Sequence, residues 1–258
     1  MELNYRQYSA AGAPVLVLHG LFGSLSNWGW HCKQLAGRYA VYGVDLRNHG
    51  DSPHSDQLDY QVMAEDVRQL IIRLGLKSCC IVGHSMGGKV AMQLALNSPD
   101  LVDKLVIVDI APVSYSEDAD SHMNVLAAMD AVKLSEIQSR TEAEVTLEDY
   151  IPQEALRKFV LTNLARNKEG LFEWRLHNDS IRENYAKLRS ELVSTKSFSK
   201  PVLFVKGSLS LYIKPEYETQ IKELFPVASV KLIMDAGHWL HAEQPQALQK
   251  VLLKFLPS

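Results

Sequence analysis

One serine of this chain stands in a setting that suits covalent chemistry, the pentapeptide Gly83-His84-Ser85-Met86-Gly87. It fits the pattern G-x-S-x-G, follows the apolar run CCIVG and opens the helical stretch MGGKVAMQLALN. A strand, a tight turn and a helix in this order expose a serine hydroxyl on strained backbone, and the glycines permit the turn. The start of the helix also favours developing negative charge. The sequence therefore predicts that Ser85 is a nucleophile.

A serine hydroxyl needs a base to accept its proton at neutral pH, and the chain offers nine histidines. His238 follows the last apolar run, VKLIMD, and precedes the last helical pattern, so we expect it at the same sheet edge as Ser85. His241 is the nearest competitor, although a helix start or a packing contact is the stronger expectation there. His84 is the variable residue of the pentapeptide. Satisfied or solvated side chains are expected for His31, His49, His54, His122 and His177.

The segment His19-Gly20-Leu21-Phe22-Gly23 ends the first clear strand-like run. In a strand–turn–helix hydrolase, this loop and the residue after the nucleophile supply two backbone N–H groups that bind a tetrahedral oxyanion. The sequence thus predicts Phe22 and Met86 as main-chain donors. The alternative is a simple turn with His19 buried beneath it.

An aspartate interrupts the apolar run KLVIVDIAP at residues 104–112. A carboxylate in a buried strand costs free energy unless it is paired or hydrogen-bonded. Asp109 either closes the strand and turns the chain before Pro112, or it pairs with a functional group.

Strand-like apolar runs alternate with helical patterns along most of the chain, which predicts an α/β fold with a mostly parallel central sheet flanked by helices. Helical spacing recurs from Tyr60 to Leu74 and from Ala247 to Phe255. The strand-like runs are residues 15–20, 39–46, 79–85, 105–110, 201–207 and 230–235.

The alternation stops at residues 113–197, where no convincing strand is visible and helical patterns dominate. We therefore predict a core of residues 1–112 and 198–258, with a helical cap at 113–197 that enters after the strand ending near Asp109. Ligands of open α/β sheets bind at such strand ends, so a lid is favoured over extra core. Four apolar residues of this segment could line an acyl site, although such residues are more often ordinary core: Leu126, Met129, Phe172 and Trp174.

Composition and charge exclude several function classes. The 258 residues are 47% hydrophobic and 22% charged, which suits one large domain or a domain with an insertion. Lys and Arg number 27 against 30 Asp and Glu, so no basic surface is expected to bind nucleic acid. No run reaches the roughly 18 apolar residues of a spanning helix, and the N-terminus lacks a signal-peptide pattern. These features predict a cytoplasmic protein without membrane insertion.

The cysteines indicate a reduced protein without a metal site. Cys32, Cys79 and Cys80 are odd in number, and two of them are adjacent in a strand-like run. Reduced core thiols are the expectation. Neither C-x-x-C nor H-E-x-x-H spacing is present, so the sequence predicts no metal and no other cofactor.

Four segments, in typical order and spacing, resemble the α/β-hydrolase superfamily over essentially the whole chain: VLVLHGLFGS, GVDLRNHGDS, IVGHSMGGKVA and DAGHWLHAEQP. More narrowly, DLRNHGDS, VDIAPVSY and AGHWLHAE resemble the YbfF-type bacterial esterases. This resemblance implies an α/β-hydrolase fold with a helical cap and activity on acyl esters and thioesters.

The chain departs from the superfamily at the usual acid position. Many members place an aspartate three residues past the glycine of the strand that corresponds to PVLFVKG. Here Ser210 stands in that place, and no carboxylate lies between Gly207 and Ile213. Asp109, on the strand after the nucleophile strand, is then the nearest candidate to orient His238.

The leading hypothesis is a serine hydrolase that cleaves carboxylic esters or acyl thioesters through an acyl-enzyme intermediate. Ser85 attacks the carbonyl, His238 transfers the proton and Asp109 holds the imidazole. A dehalogenase or epoxide hydrolase is disfavoured, because each requires a carboxylate nucleophile. A carbon–carbon bond hydrolase or lyase with the same triad, or a non-catalytic ligand-binding member of the fold, is the alternative. The expected partner is a small acyl ester or an acyl-CoA-like thioester, and the expected assembly is a monomer or a weak homodimer.

Overall fold

The computed structural model describes residues 1–116 and 122–257. Its strands, in chain order, are β1 (Tyr5–Gln7), β2 (Ala13–Leu18), β3 (Tyr39–Val44), β4 (Cys79–His84), β5 (Val102–Val108), β6 (Leu164–Arg166), β7 (Phe172–Trp174), β8 (Val202–Gly207) and β9 (Ser229–Ile233). Seven of them form one sheet in the order β1-β3-β2-β4-β5-β8-β9. All pairs in this sheet are parallel except β1 with β3. The predicted α/β fold with a mostly parallel sheet is therefore confirmed.

The central strands of the sheet are buried on both faces, as their near-continuous apolar runs indicate. Every residue of β3 and β4 is buried. Successive side chains of β2 alternate between two core clusters, since Leu16 and Leu18 pack in one and Val15 and Val17 in the other. The unpredicted strand β1 has only three residues, all exposed, so its sequence carries no strand pattern.

The described residues also form α-helices. They are α1 (Gly29–Leu35), α2 (Tyr60–Arg73), α3 (Met86–Asn97), α4 (His122–Ala131), α5 (Arg140–Glu148), α6 (Glu154–Leu161), α7 (Asn178–Glu183), α8 (Tyr185–Arg189), α9 (Glu218–Leu224), α10 (Leu240–Glu243) and α11 (Pro245–Phe255). The predicted helices at 60–74 and 247–255 correspond to α2 and α11. Asp59 begins α2 by accepting a hydrogen bond from the Val62 N–H at 2.9 Å. In the described part of the chain, no helix is both long and apolar enough to cross a membrane.

The segment at 113–197, called the insertion below, connects β5 to β8 and contains α4 to α8. The expectation that it holds no strand is wrong, because β6 and β7 pair as an antiparallel hairpin. Each strand has three residues, which is too short for a period of two to be visible in the sequence. The α-helices in the described part of the insertion are α4 to α8.

A buried lysine holds both connections between the insertion and the core. Lys89 of α3 is 1% exposed, and its ammonium donates to the carbonyl oxygens of Val113 at 2.8 Å and Ser190 at 2.6 Å. The two connections also bond to each other, since the Tyr115 N–H donates to the Arg189 carbonyl at 3.0 Å. The helix that begins beside the predicted nucleophile thus also fixes the entry and exit of the insertion.

The three cysteines are free and buried, which confirms the prediction of reduced core thiols. Burial raises the pKa of the Cys32 thiol to about 12 and that of Cys80 to about 11. Burial likewise raises the pKa of the Cys79 thiol. Thiolates are therefore disfavoured at neutral pH.

Candidate active site

The register of the sheet brings the ends of its central strands to one edge. Gly83 lies opposite Leu18 of β2, and Val108 lies opposite both His84 of β4 and Val205 of β8. The residues that follow these strands therefore share a small region at the carboxyl edge of the sheet.

Ser85 occupies the sharp turn between β4 and α3. Its φ is 50°, a left-handed value that costs a non-glycine residue free energy. The Ser85 N–H donates to the Val108 carbonyl at 3.0 Å, and its own carbonyl accepts from the N–H groups of Gly88 and Lys89. A Cβ at Gly83 would meet the Gly87 carbonyl oxygen at 2.4 Å, so this close turn requires a glycine there.

His238 lies in the loop between β9 and α10, with its Nε2 3.0 Å from Ser85 Oγ. Its ring stacks on Tyr212 with a centroid distance of 3.9 Å and an interplanar angle of 21°. The His84 ring donates from Nε2 to the His238 carbonyl at 2.9 Å. The backbone and the ring of His238 are therefore both held next to Ser85.

Asp109 completes a chain of hydrogen bonds. Its Oδ2 accepts from His238 Nδ1 at 2.8 Å, and its Oδ1 accepts from the Gly207 N–H at 3.1 Å. The side chain is fully buried, and its φ of 54° is also left-handed. With the proton on Nδ1, His238 presents Nε2 as an acceptor to the Ser85 hydroxyl. Ser85, His238 and Asp109 are thus brought into contact from three distant parts of the sequence.

Ser210 contributes a hydroxyl where an acid was expected in the superfamily. Its Oγ donates to Asp109 Oδ2, the oxygen that also accepts from His238. The side chain is 5% exposed, so this hydrogen bond is shielded from water. The sequence marks this position by its departure from the superfamily pattern, but it does not show that the serine contacts Asp109.

The predicted oxyanion donors come from the loop after β2 and from the start of α3. Met86 is the first residue of α3, where backbone N–H groups have no partner within the helix. The Phe22 N–H donates to His49 Nε2 at 3.3 Å, so it is already engaged in this conformation. The Phe22 carbonyl accepts from Asn163 of the insertion at 2.8 Å. An oxyanion reaches the Phe22 N–H only if the hydrogen bond to His49 breaks.

Buried histidines surround the site. Burial lowers the pKa of His19 to about 4, and burial together with His19 lowers the pKa of His49 to about 3. Burial also lowers the pKa of His84. Each of these rings is therefore neutral at neutral pH, which lets His49 accept the Phe22 N–H. The expectation of a satisfied or solvated loop side chain holds for His49, because its Nδ1 also donates to the Arg47 carbonyl at 2.8 Å.

His241, the competitor for the role of base, is a packing residue. Its ring stacks on Trp28 with a centroid distance of 4.9 Å and an interplanar angle of 11°. Burial lowers its pKa to about 3. It lies in α10, in agreement with the prediction that it begins a helix or packs.

Two cavities meet at Ser85. A cavity of about 300 Å³ includes His238 and Trp239, and the insertion contributes Val125, Leu156 and Phe159 to its wall. A second cavity of about 30 Å³ lies on the side of Met86 and Ile110. The four apolar residues considered from the sequence line neither cavity. Leu126, Met129 and Phe172 lie in the hydrophobic core cluster, and the partly buried Trp174 packs against it.

Metal ligands are not gathered at this site. Within residues 1–116 and 122–257, no group of three or more His, Cys, Asp or Glu side chains is arranged to hold a metal ion. The polar side chains of the site instead form hydrogen bonds with one another, from Ser85 to His238 and from His238 to Asp109.

Comparison with known proteins agrees with this fold. The family model described as alpha/beta hydrolase fold matches residues 13–131. The sn-1-specific diacylglycerol lipase ABHD11 of Mus musculus is 40% identical, over 99% of this chain and 85% of its own length. The solved structure of a marine microorganism esterase has a TM-score of 0.96 and 41% identity, and the match covers 99% of both chains. The chain therefore belongs to the α/β-hydrolase family.

A further relative places the chain within that family. Esterase YbfF of Escherichia coli is 33% identical over 99% of both chains. The chain is thus an α/β hydrolase of the YbfF type, as the segments DLRNHGDS, VDIAPVSY and AGHWLHAE predict.

Proposed function

We propose that this protein is a serine hydrolase that cleaves carboxylic esters or acyl thioesters through an acyl-enzyme intermediate. The observation that carries the proposal is the chain of hydrogen bonds from Ser85 through His238 to Asp109, at the edge of a 300 Å³ cavity. The names of the relatives, an esterase and a lipase, support ester substrates. Thioesters enter the proposal because the same attack on a carbonyl applies to them.

The mechanism follows from the positions of the three side chains. His238 Nε2 accepts the Ser85 proton as Oγ attacks the carbonyl, and the resulting imidazolium is stabilised by the buried Asp109 carboxylate. His238 then donates that proton to the leaving oxygen or sulfur. In the second half, His238 activates water, which hydrolyses the acyl-Ser85 ester and restores the enzyme.

The oxyanion is bound by the main chain in this proposal. The Met86 N–H is one donor, supported by the N-terminal end of α3. The second donor comes from the loop of residues 19–23, either from Phe22 after it releases His49 or from its neighbour Leu21, which lines both cavities. Removal of one such donor typically costs about 10²-fold or more in kcat.

We also propose that the insertion acts as a lid. His122 and Val125 of α4 and Leu156 and Phe159 of α6 form part of the wall of the large cavity. Substrate can leave or enter that cavity more easily if these helices move. A closed lid excludes water from the site and strengthens its electrostatic interactions.

The decisive test is chemical labelling and turnover in Ser85→Ala. Wild type should react with a fluorophosphonate probe at Ser85 and hydrolyse 4-nitrophenyl acetate, whereas Ser85→Ala should do neither and still fold. His238→Asn should lose turnover as well. His54→Asn is the matched control, because His54 is exposed and lines neither cavity. A probe adduct elsewhere, or hydrolysis retained by Ser85→Ala, would contradict the proposal.

The geometry also argues against a non-catalytic role. A binding protein gains nothing from a serine, a histidine and a buried aspartate in hydrogen-bond contact, with the backbone of Ser85 and Asp109 held at left-handed φ values. Labelling of wild type by the fluorophosphonate decides between the two roles directly, because a binder without an activated serine does not react.

A further inference from the structure

Ser85 forms part of the wall between the two cavities, and the catalytic groups around it are divided between them. His238 lines the large cavity only, and Met86 lines the small cavity only. Ser85, Leu21, His122 and Tyr212 are shared by both. The surroundings of a bound carbonyl carbon therefore differ on its two sides.

This division sets the orientation of a substrate, given the proposed function. The leaving oxygen must lie next to His238 Nε2, because that atom carries the proton which the leaving group needs. His238 Nε2 lies 3.0 Å from Ser85 Oγ on the side of the large cavity. The alcohol part of an ester then extends into the large cavity, and its acyl tail points into the small one.

The size of the small cavity limits the acyl tail. A group the size of a water molecule requires roughly 10–15 Å³ of cavity volume. The small cavity, at about 30 Å³, therefore holds two or three carbon atoms of an acyl tail. The large cavity, at about 300 Å³, has the volume of a small-molecule binding site. A long acyl tail therefore has no room on its side, whereas a longer alcohol does.

The wall of the small cavity is mostly apolar and aromatic. Its guanidinium group, that of Arg189, donates to the Tyr115 carbonyl at 3.3 Å and lies over the Tyr185 ring, so it is already engaged within the protein. Ile110 and Leu188 form part of the wall, and both are buried. The hydroxyl groups of two tyrosines in the same wall already donate to backbone carbonyls, Tyr60 to Leu188 at 2.5 Å and Tyr115 to Tyr212 at 2.6 Å. These hydroxyls are therefore committed to the protein and do not offer their protons to a substrate.

From these observations we infer that the preferred substrates are esters of a short, apolar acyl group of about two to four carbons with a larger alcohol. The inference rests on the proposed function and adds to it the substrate class. It assigns the acyl site to the small cavity beside Met86 and the alcohol site to the large cavity beside His238.

A pair of isomeric esters tests the inference. Hexyl acetate and ethyl hexanoate have the same formula, but they place the long chain on opposite sides of the carbonyl. The kcat/KM of each is measured in a pH-stat and divided by that ester's hydroxide-catalysed rate. We expect this normalised kcat/KM to be higher for hexyl acetate than for ethyl hexanoate by about tenfold or more, since apolar pockets discriminate methylene groups by such factors.

The possible outcomes separate the two proposals. An equal or higher value for ethyl hexanoate overturns the inference and leaves the proposed function intact. Hydrolysis of neither ester, together with no fluorophosphonate labelling of Ser85, overturns the proposed function and the inference with it.

A matched pair of leucines in the insertion checks the location of the acyl site. Leu188→Ala enlarges the small cavity. The ratio of the normalised kcat/KM for ethyl hexanoate to that for hexyl acetate should therefore rise by about fivefold or more. Leu161→Ala removes a comparably buried leucine that lines neither cavity, and it should change that ratio by less than about twofold. Equal changes in both variants overturn the assignment. If Leu188→Ala does not fold, Ile110→Val enlarges the same cavity by one methylene, and an unchanged ratio there is also contradictory.

Discussion

Asp109 carries a charged side chain where solvent does not reach, and three donors surround it. The His238 ring, the Gly207 N–H and the Ser210 hydroxyl together occupy both carboxylate oxygens. These contacts offset the cost of burial that made this aspartate conspicuous in an apolar strand. The contact with His238 favours the functional interpretation of Asp109 over a purely strand-ending one.

Asp109→Asn should fold, melt within a few degrees of wild type and lose about 10⁴-fold in turnover. An amide has the same shape, but it cannot stabilise the imidazolium and permits the wrong tautomer of His238. Ester hydrolysis at neutral pH and thermal melting are the measurements. Turnover within tenfold of wild type would exclude Asp109 as the acid.

A second carboxylate position gives a complementary experiment. Ser210 Oγ contacts the same Asp109 oxygen that accepts from His238, so a carboxylate at residue 210 lies near the imidazole. Adding Ser210→Asp to Asp109→Asn should therefore restore part of the lost turnover. The matched control is Ser210→Asn in the same background, which has the same size without the charge and should restore nothing.

α3 joins the turn at Ser85 to the insertion. Ser85 precedes its first residue, and Lys89, one turn later, donates to a carbonyl on each connection of the insertion. Hydrogen bonds from a charged donor contribute about 1.5–3 kcal/mol each, so this contact is a principal attachment of the insertion. The same ammonium lies 5.4 Å and 5.0 Å from the ring centroids of Tyr60 and Tyr115.

Lys89→Met should loosen the insertion more than the core. The apolar side chain fills the space but leaves the Val113 carbonyl without its ammonium donor, so we expect a loss of about 2 kcal/mol or more of unfolding free energy. Hydrogen exchange should accelerate near residues 113–116 and 189–192 before it does in β4. Lys104→Met is the control, because Lys104 donates to the Phe255 carbonyl, at 2.8 Å, outside the insertion. Equal protection of these segments in wild type and Lys89→Met would contradict this function of the lysine.

Buried neutral histidines couple the stability of the whole molecule to pH. In the folded chain the pKa of His19 is about 4 and that of His49 about 3, against 6.5 for an exposed histidine. As the pH falls from 6.5 to 4, the unfolded chain therefore binds protons that the folded chain does not. The free energy of unfolding must decrease over this window.

We expect each such histidine to lower the unfolding free energy by about 1.4 kcal/mol per pH unit between pH 6 and pH 4. Urea unfolding of wild type at several pH values measures this slope. In His49→Gln, the decrease in unfolding free energy per pH unit should be smaller by about 1.4 kcal/mol, since one titrating group is gone. A slope that is identical in both proteins would show that His49 titrates normally in the folded state.

The sequence by itself determined the elements and the candidate residues. Six strands of the main sheet, the helices α2 and α11 and the turn at Ser85 all follow from patterns within about ten residues, such as buried apolar runs and helical spacing. His238 and Asp109 were identifiable because each lies at the end of a strand-like run. Local patterns are sufficient for such features, because strands and helices bury apolar residues with a fixed period.

Only the tertiary structure decided which of these residues meet and what surrounds them. The contact of Asp109 with His238 joins residues 129 positions apart, and that with Ser210 joins residues 101 apart. The hairpin of β6 and β7, the engagement of the Phe22 N–H by His49 and the unequal cavities beside Ser85 were likewise not visible in the sequence. Strand register, crossovers and side-chain packing set these distances, and none of the three is encoded in a single short segment.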